Sequence, residues 1–372
     1  MKYYIIAGEA SGDLHGSNLI KHLIQKDSSA IIRCWGGDLM QKSGGELVKH
    51  YRDTAFMGFV EVIKNINTIR NLFNFCYKDI LNFKPDVLIL VDYPGFNLRV
   101  AKWAFEHHLP VHYYISPQLW AWHSSRVKQV KKYVRKMFVI LPFEKDFYRK
   151  YDYDVDFVGH PLLDVTTSFE ANPNFRNLNM LNEKPIIALL PGSRKQEIKS
   201  VLPIMLEMVD KYENYQFVIA GAPSQTLEFY KSITNEKNIS IIFGQTYDLL
   251  NQSFAALVTS GTATLETALF RVPQVVCYKG NSISYLIAKR LVNIKYISLV
   301  NLISEKLIVK ELIQNELNVN NLSIELDNIL KEQNRQVMLH QYDQLIDLLG
   351  NNGASELTAN LIIQDIKDKS KN

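Results

Sequence analysis

The chain has little cysteine and no obvious set of metal-binding residues. Its three cysteines, Cys34, Cys76 and Cys277, stand far apart in 372 residues and form no C-x-x-C pair, which argues against a disulfide framework or a structural zinc site. The nine histidines contain no H-x-H or H-E-x-x-H arrangement, so the sequence gives no basis for a fixed metal site. We therefore expect a protein of the reducing cytoplasm that needs no metal or other cofactor.

Long apolar runs and a strong net charge are also missing. No apolar run approaches the ~20 residues needed to cross a bilayer, and the short apolar start is followed at once by Glu9 and Asp13, unlike a secretory signal. The 42 Lys and Arg residues against 38 Asp and Glu residues leave a net charge of +4, so we expect no nucleic-acid partner. A basic cluster at 126–136 contains no acid; it suits an anionic lipid surface or a substrate phosphate, and equally a solvated helix face.

Short apolar runs alternate with longer helical patterns along the chain, which is typical of parallel sheets covered by helices on both faces. A stretch rich in Asn, Thr, Ser and Pro interrupts this alternation at 165–184. The pattern predicts an α/β fold with two Rossmann-like doubly wound domains, 1–164 and 185–349, which face a cleft and are joined by a linker at 165–184. C-terminal helices follow, and the last, at 350–372, is expected to pack on the first domain or on a partner.

The segment 260–266 follows an apolar strand and leads into a helix. Small residues at a helix start let an anion approach the unpaired backbone N–H groups, so Ser260, Gly261 and Thr262 form a candidate seat for a nucleotide diphosphate. Glu266 stands one turn later, where a carboxylate can accept hydrogen bonds from ribose hydroxyls. The alternative is an ordinary capped helix with a solvated Glu266.

A second strand-to-helix turn, at 190–197, has the same character. Gly192 and Ser193 form the turn, and Arg194 supplies a guanidinium that suits bidentate contact with phosphate. Because both turns fall in the second half of the chain, they favour a common diphosphate site more strongly than either turn does alone.

The first strand ends in a turn that lacks the G-x-G-x-x-G pattern of dinucleotide sites. The turn contains Glu9, Ser11, Gly12 and Asp13. Two acids there would repel a phosphate, so we expect contacts to the hydroxyls or amides of a sugar. The alternative is that Asp13 caps a helix.

Two further segments follow buried strands. Asp92 stands at the carboxyl end of one strand, where apolar walls raise the pKa of a carboxyl toward that of a general base. The alternative is that Asp92 caps the helix that follows. The next strand leads into a loop with Gln118, Trp120 and Trp122, which either lines a sugar or acyl pocket or anchors the loop in the core.

These segments, taken in order, resemble the motif series of the lipid-A-disaccharide synthase family. The matching segments are 7–13, 57–62, 116–122, 141–144, 158–162, 190–194, 260–266, 301–303 and 309–314. The resemblance covers nearly the whole chain. It implies a GT-B glycosyltransferase that condenses UDP-2,3-diacylglucosamine with 2,3-diacylglucosamine 1-phosphate (lipid X) to the β-1,6-linked lipid A disaccharide 1-phosphate and UDP, at the cytoplasmic face of the inner membrane of Gram-negative bacteria.

The resemblance also implies roles for single residues. The family's important Asp, Arg and Asn fall on Asp92, Arg194 and Asn301 of this sequence, and Asn301 joins the expected UDP-sugar site. Two positions depart from the family pattern, because Gly95 stands where an acid is frequent and His123 where an Arg is frequent. Other GT-B enzymes that use UDP-GlcNAc, a peptidoglycan-type transferase or a 2-epimerase, are the alternative, and a non-catalytic sugar-nucleotide sensor is a third reading.

Acylated substrates require an apolar entry. A dense apolar stretch is a candidate for a membrane-facing patch together with the basic cluster; its alternative is an ordinary core helix. The patch residues are Phe56, Met57, Phe59, Ile63, Leu72 and Phe73. The expected partners are thus the two lipid substrates and the inner-membrane surface, while the sequence leaves the oligomeric state open, a homodimer included.

Overall fold

The computed structural model describes residues 1–53, 66–122, 126–235, 237, 239–280 and 295–369. The chain forms two compact units, Met1–Asp164 with Leu349–Asn372, and Val165–Leu348. In the described ranges, no helix combines the length and the apolar character that crossing a membrane requires.

The first unit is built on a seven-stranded parallel sheet with the order β3-β2-β1-β4-β5-β6-β7. Its central strand β4 is fully buried, as expected for a strand with helices on both faces. The strands are β1 (Lys2–Ala7), β2 (Ile31–Gly36), β3 (Glu46–His50), β4 (Val87–Val91), β5 (Val111–Tyr114), β6 (Lys136–Val139) and β7 (Asp156–Phe157).

Helices connect these strands and cover the sheet. They are α1 (Ala10–Lys26), α2 (Asp38–Lys42), α3 (Ile66–Phe83), α4 (Pro94–Glu106), α5 (Leu119–Trp122), α6 (Val127–Tyr133), α7 (Pro142–Arg149) and α8 (Pro161–Thr167), with a 3₁₀ turn at Tyr51–Asp53. Because all strands run in one direction, every strand-to-helix turn that follows a strand lies at the carboxyl edge of the sheet. That edge is where ligands bind in doubly wound folds.

The second unit repeats this plan with a six-stranded parallel sheet of order β10-β9-β8-β11-β12-β13. Its elements are α9 (Phe175–Leu178), β8 (Ile186–Leu190), α10 (Lys195–Leu206), β9 (Gln216–Gly221), α11 (Leu227–Thr234), β10 (Ser240–Phe243), α12 (Thr246–Asn251), β11 (Ser253–Thr259), α13 (Thr262–Leu269), β12 (Gln274–Tyr278), α14 (Leu299–Ser304), β13 (Glu311–Ile313), α15 (Val319–Leu330) and α16 (Glu332–Leu348), with 3₁₀ turns at Val209–Lys211 and Gln314–Glu316. The prediction of two doubly wound parallel sheets is confirmed.

Residues 165–184, which the composition marked as a linker, belong to the second unit. Phe175 in α9 is 1% exposed and packs with Ile186 and Ala256 in the core of that unit. The Arg176 guanidinium donates to the carbonyl of Asn182 and to the side chain of Gln252. A few apolar residues within a polar stretch are enough to bury this segment, so it is not a free spacer.

The last helix, α17 (Ala354–Lys369), belongs to the first unit. It packs against α1 and places Ile362 in the same apolar cluster as Ile5 and Leu23. Polar contacts add to this packing, because the Asp365 carboxylate accepts a hydrogen bond of 2.7 Å from the Arg135 guanidinium and lies 2.9 Å from Nε2 of the buried His112. The chain therefore closes its first unit with its last helix.

Candidate active site

The turn after β4 holds Asp92 in an unusual backbone conformation. Asp92 and Tyr93 have φ angles of +44° and +51°, a left-handed region that non-glycine residues adopt at a cost. Two buried side chains stabilise the turn: the Tyr113 hydroxyl donates to the Asp92 carbonyl at 2.5 Å, and Nδ2 of Asn97 donates to the same oxygen at 2.7 Å. These two hydrogen bonds hold the backbone of the turn, so the fold sets the position of the Asp92 carboxyl.

The Asp92 carboxyl has the proton affinity of a base that works near neutral pH. Burial is the main cause, and the negative charge of Glu9 adds to it, so that the pKa rises from 3.8 to about 6. A hydrogen bond from the Tyr93 backbone N–H acts in the opposite direction. A general base is most effective when its pKa lies near the working pH, and Asp92 meets that condition.

The turn after β1 lies beside the Asp92 turn. A Cβ on Gly8 would come within 2.5 Å of the Tyr93 ring, so only a glycine allows this close approach. Glu9 and Ser11 are exposed at the start of α1, and Gly12 packs against Ala7. The structure thus brings the predicted residues Glu9, Ser11 and Gly12 to the same edge as Asp92.

Asp13 has a different role from the expected sugar contact. Its side chain is 3% exposed. Its carboxylate accepts backbone N–H hydrogen bonds from Gly37 (2.7 Å), Leu39 (3.1 Å) and Met40 (3.0 Å), at the start of α2. A helix start has unpaired N–H groups that a carboxylate stabilises, so Asp13 is a structural cap and is not available to a sugar.

The tryptophan loop is supported by buried polar groups that the sequence did not reveal. The Ser116 hydroxyl lies 2.7 Å from the Tyr148 hydroxyl, and Trp120 packs edge-to-face on Phe143 at 5.0 Å. Glu144 is 1% exposed and accepts a hydrogen bond of 3.0 Å from the Leu141 N–H, and burial raises its pKa to about 8.

Two residues of this loop differ in what the structure describes. Gln118 is exposed at the carboxyl edge of the first sheet, where it remains a candidate for contact with the acceptor. The side chain of Trp122 lies outside the described residues.

Part of the predicted membrane patch is core. Phe73 is 9% exposed and stacks on Phe96 at 4.5 Å between ring centroids, and Leu72 packs against the same apolar cluster. These two residues point inward because α3 is amphipathic, and the sequence alone did not tell its buried face from an exposed one. Phe56, Met57, Phe59 and Ile63 lie outside the described residues.

In the second unit, the two predicted phosphate turns end adjacent strands. β8 and β11 run side by side, with Val258 opposite Leu190, so the turn with Gly192 and the turn with Ser260 meet at one edge. The buried Thr259 hydroxyl lies there and has no hydrogen-bond partner among the described residues. The expectation that both turns contribute to one site is thus consistent with the order of the strands.

The first of these turns is open. Gly192 has φ +98°, a left-handed angle that favours glycine, and the Ser193 carbonyl accepts a hydrogen bond from the Ser224 hydroxyl at 3.2 Å. The Arg194 side chain is 80% exposed and lies 3.2 Å from Glu197, one turn along α10. A surface pair of this kind is weak, so the guanidinium is free to engage an anion.

The second turn leads into α13 without a side-chain cap. Gly261 and Thr262 are exposed, and the Ser260 hydroxyl donates to the Ile297 carbonyl at 2.9 Å. One turn later, Glu266 accepts a hydrogen bond of 2.8 Å from the Tyr247 hydroxyl, and burial raises the pKa of its carboxyl. The helix start is suited to a phosphate, and Glu266 is held in place beside it.

Asn301, which the resemblance places in the UDP-sugar site, has a side chain that is bonded within the protein. It is fully buried, its Nδ2 donates to the Val309 carbonyl (2.8 Å) and to Glu311 (2.9 Å), and its Oδ1 accepts from the N–H groups of Ile308 and Val309. An asparagine has two donors and one acceptor oxygen with two lone pairs, so all of them are used. The Asn301 side chain therefore holds the 301–311 segment in place.

Glu311 extends this network toward the Ser260 turn. Its carboxylate accepts hydrogen bonds from the backbone N–H groups of Ile297 (3.0 Å) and Ser298 (2.9 Å) and from the Ser298 hydroxyl (2.7 Å). The Ile297 carbonyl in turn accepts from Ser260. Sequence inspection missed Glu311 because its partners Ile297, Ser298 and Asn301 stand 10 or more residues away along the chain.

No group of three or more His, Cys, Asp or Glu side chains placed to hold a metal occurs in the described part of the chain. The candidate polar groups at the carboxyl edges of the two sheets are carboxylates, a guanidinium, hydroxyls and helix starts. Such groups suit proton transfer and the binding of a nucleotide diphosphate.

Comparison with known proteins agrees with this geometry. The family model described as lipid-A-disaccharide synthetase matches residues 3–364. The lipid-A-disaccharide synthase of Syntrophus aciditrophicus is 37% identical over 98% of this chain and 97% of its own length, and that of Coxiella burnetii (strain CbuG_Q212) is 34% identical over 96% of each.

Among solved structures, the UDP-GlcNAc 2-epimerase from Neisseria meningitidis bound to UDP-GlcNAc has a TM-score of 0.67 at 14% identity, with 98% of this chain and 100% of that chain covered. At that identity the likeness shows the GT-B fold and no shared activity. Because the family model spans nearly the whole chain and the relatives align over almost their full length, this chain belongs to the lipid-A-disaccharide synthase family of glycosyltransferases.

Proposed function

We propose that this enzyme condenses UDP-2,3-diacylglucosamine with 2,3-diacylglucosamine 1-phosphate (lipid X) to the β-1,6-linked lipid A disaccharide 1-phosphate and UDP. The observation that carries the reaction type is the Asp92 turn. There the backbone carbonyl is held by Tyr113 and Asn97, and burial raises the carboxyl pKa to about 6. A fixed base with that pKa suits the removal of a proton from a sugar hydroxyl.

The first unit activates the acceptor. As the acceptor's 6-oxygen attacks the anomeric carbon of the donor, its proton passes to the Asp92 carboxylate. The new C1–O6 bond forms while the bond between C1 and the diphosphate oxygen breaks, and UDP leaves with the electron pair. Attack opposite to the leaving group inverts the anomeric centre. Glu9, Ser11, Gly12, Gln118 and the tryptophan loop are the proposed contacts to the acceptor sugar.

The second unit stabilises the leaving group. Arg194 is the cation for the departing diphosphate, and the start of α13 at Gly261 and Thr262 supplies backbone N–H groups. The exposed Ser193 and the hydroxyl of Ser260 complete the turn contacts, and Glu266 accepts hydrogen bonds from the ribose. These groups carry out the stabilisation that a divalent cation performs in other transferases, so we propose a reaction without a metal.

The proposed location is peripheral, at the cytoplasmic face of the inner membrane. Both substrates carry acyl chains and therefore reside at a lipid surface. Support comes from large apolar side chains of the first unit that are about half exposed, Phe75 (47%), Leu81 (51%) and Phe105 (46%). These side chains are available to contact a lipid surface.

A product assay tests the proposal. The full chain is incubated in neutral detergent micelles with both substrates and EDTA, and mass spectrometry is used to detect the disaccharide phosphate and UDP. The expected result is a stoichiometric yield of both products. Conversion of UDP-GlcNAc to an epimer without a glycosidic bond would instead support the 2-epimerase alternative, which the family match does not favour.

A further inference from the structure

The first unit contains an open groove of about 690 Å³ that has no role in the mechanism above. It is formed by α3, α4 and α6, and its walls include Gly95, Arg99, Lys102, Trp103, Arg126 and Tyr133. The volume lies within the range of ~300–1,000 Å³ that is typical of small-molecule sites. The groove is therefore large enough for a sugar phosphate with the first part of an acyl chain.

The groove has an excess of positive charge. Three of its side chains are cations and Glu106 is an acid. Lys102 lies 3.9 Å from Glu106, but both side chains are more than half exposed, so this pair is weak. Arg99 and Arg126 form no ion pair with any acid in the described part of the chain, which leaves two guanidiniums available for an anion.

This charge is not a general property of the basic cluster at 126–136. Arg135 is bound to Asp365 at 2.7 Å, and Lys136 lies 3.5 Å from Asp156. Their charges are matched by acids of the first unit. Within the cluster, Arg126 is the cation that faces the groove, which separates a defined site from a diffuse basic surface.

Flat aromatic walls line the groove beside these cations. Tyr77 and Trp103 stack at 4.4 Å with an angle of 8° between their planes, and the Arg99 guanidinium lies 5.6 Å from the centre of the Phe73 ring. Stacked rings hold a guanidinium in place and offer an apolar surface to methylene groups. The combination of anion-binding and apolar walls matches a phosphorylated lipid.

The position of the groove relates it to the reaction. Gly95 is the third residue after Asp92, and a Cβ there would meet nothing within 4 Å, so the groove is open at this end. Arg99 stands four residues further along α4, a rise of ~6 Å. Arg99 therefore lies little more than one helical turn beyond the start of α4, which directly follows the Asp92 turn.

We propose that this groove binds the phosphate of the acylated acceptor, with Arg99 and Arg126 on the phosphate and the aromatic walls on the first methylenes of the acyl chains. The inference rests on the proposed function, since it assigns a place to that function's acceptor. The proposed occupant is the acceptor itself and not a bilayer headgroup, because a concave groove of this volume encloses a single molecule, whereas a bilayer presents a flat surface.

Acceptor kinetics with Arg99→Gln, Arg126→Gln and the double variant test the proposal. The assay uses neutral detergent micelles and a saturating donor. A lost guanidinium–phosphate contact typically weakens binding by about tenfold or more, so the double variant should raise the acceptor KM at least tenfold and leave the donor KM and kcat within about twofold. Lys128→Gln is the matched control, because it removes one exposed charge from the same helix outside the groove, and Arg126→Lys should recover part of the loss.

An acceptor analogue without the 1-phosphate makes the test specific. With this analogue, wild type and double variant should have the same KM, because the phosphate that the arginines recognise is gone. An unchanged KM for the phosphorylated acceptor in the double variant overturns the proposal, and so does a defect that persists with the analogue. Weaker flotation with phosphatidylglycerol vesicles at an unchanged micellar KM overturns it too and assigns the groove to a bilayer headgroup.

Failure of the proposed function would look different. If wild type forms no disaccharide with either acceptor, the proposed activity is wrong. The groove is then still tested by titration calorimetry with the phosphorylated acceptor. Tight binding to wild type and weak binding to the double variant would then support the groove, and equal affinities would overturn it.

Discussion

The carboxyl edges of the two sheets differ in how firmly each holds its candidate site residues. In the first unit, Asp92 sits in a strained turn that two buried side chains hold in place. In the second unit, Arg194 is 80% exposed, and a Cβ on Gly261 would meet nothing within 4 Å. The proposed base is thus held in place by the fold, whereas the proposed phosphate contacts are open to solvent. Fixing the base in advance avoids reorganisation during the proton transfer.

Asp92→Asn is the most severe test of this contrast. The amide has the same shape but cannot accept the proton, so kcat should fall by about 10²–10⁴-fold. The Kd for UDP, measured by titration calorimetry, should stay within about twofold of the wild-type value. The variant should also melt at a higher temperature than wild type at pH 8, because ionising a carboxyl with a raised folded-state pKa costs stability. Near-normal turnover would remove Asp92 from the mechanism.

Arg194→Gln tests the exposed half of the comparison. Loss of a cation at a leaving group typically costs about 10²-fold in rate, and here we expect a loss in kcat/KM of that size together with weaker binding of UDP. Thermal melting should be unchanged, since the side chain is exposed and its contact with Glu197 is weak. Lys195→Gln is the neighbouring control, and an equal defect there would indicate a general charge effect.

The pH profile of kcat/KM should reveal the fixed base. Asp92 is active as the carboxylate, so the rate should be constant well above pH 6 and fall about tenfold per pH unit below the pKa of about 6. Glu9→Gln removes a negative charge that contributes to this raised pKa, so the acidic limb should move to lower pH. A profile that stays flat down to pH 5 would contradict the assigned base.

Glu311→Gln should have the smallest effect. The amide keeps the size but weakens the hydrogen bonds to the backbone of Ile297 and Ser298, which position the Ser260 turn. We expect the donor KM to rise about threefold to tenfold, with little change in the acceptor KM. If Glu311 has a purely structural role, the variant should have a lower melting temperature and an unaltered donor KM. The two measurements together therefore distinguish a structural role from positioning of the Ser260 turn.

Local features of the site could be predicted from the sequence, whereas long-range features could not. Asp92 and Arg194 each follow an apolar strand, and the strand-to-helix turn that places them is encoded by neighbouring residues. Asp13 and Asn301 look equally functional, but their side chains are bonded to backbone groups, at Gly37, 24 residues away, and at Val309, eight residues away. A sequence pattern shows which side chains are polar, and it does not show which of them are already bonded.

The fold follows the same division. Alternating strands and helices predicted both sheets, because apolar strands without polar alternation belong to buried parallel sheets. The inward orientation of Phe73 and the burial of Phe175 depend on surfaces that only form in the folded unit. The apolar face of an amphipathic helix can pack in the core or contact a membrane, and the sequence does not distinguish the two without the packing partner.

The docking of α17 has a consequence for synthesis of the chain. The apolar face shared by Ile5, Leu23 and Ile362 is complete only when the last helix is present. During translation, all of Val165–Leu348 is made before that helix emerges. The apolar face of the first unit therefore stays uncovered while the second unit is synthesised. A product that lacks α17 therefore exposes a hydrophobic surface that favours aggregation.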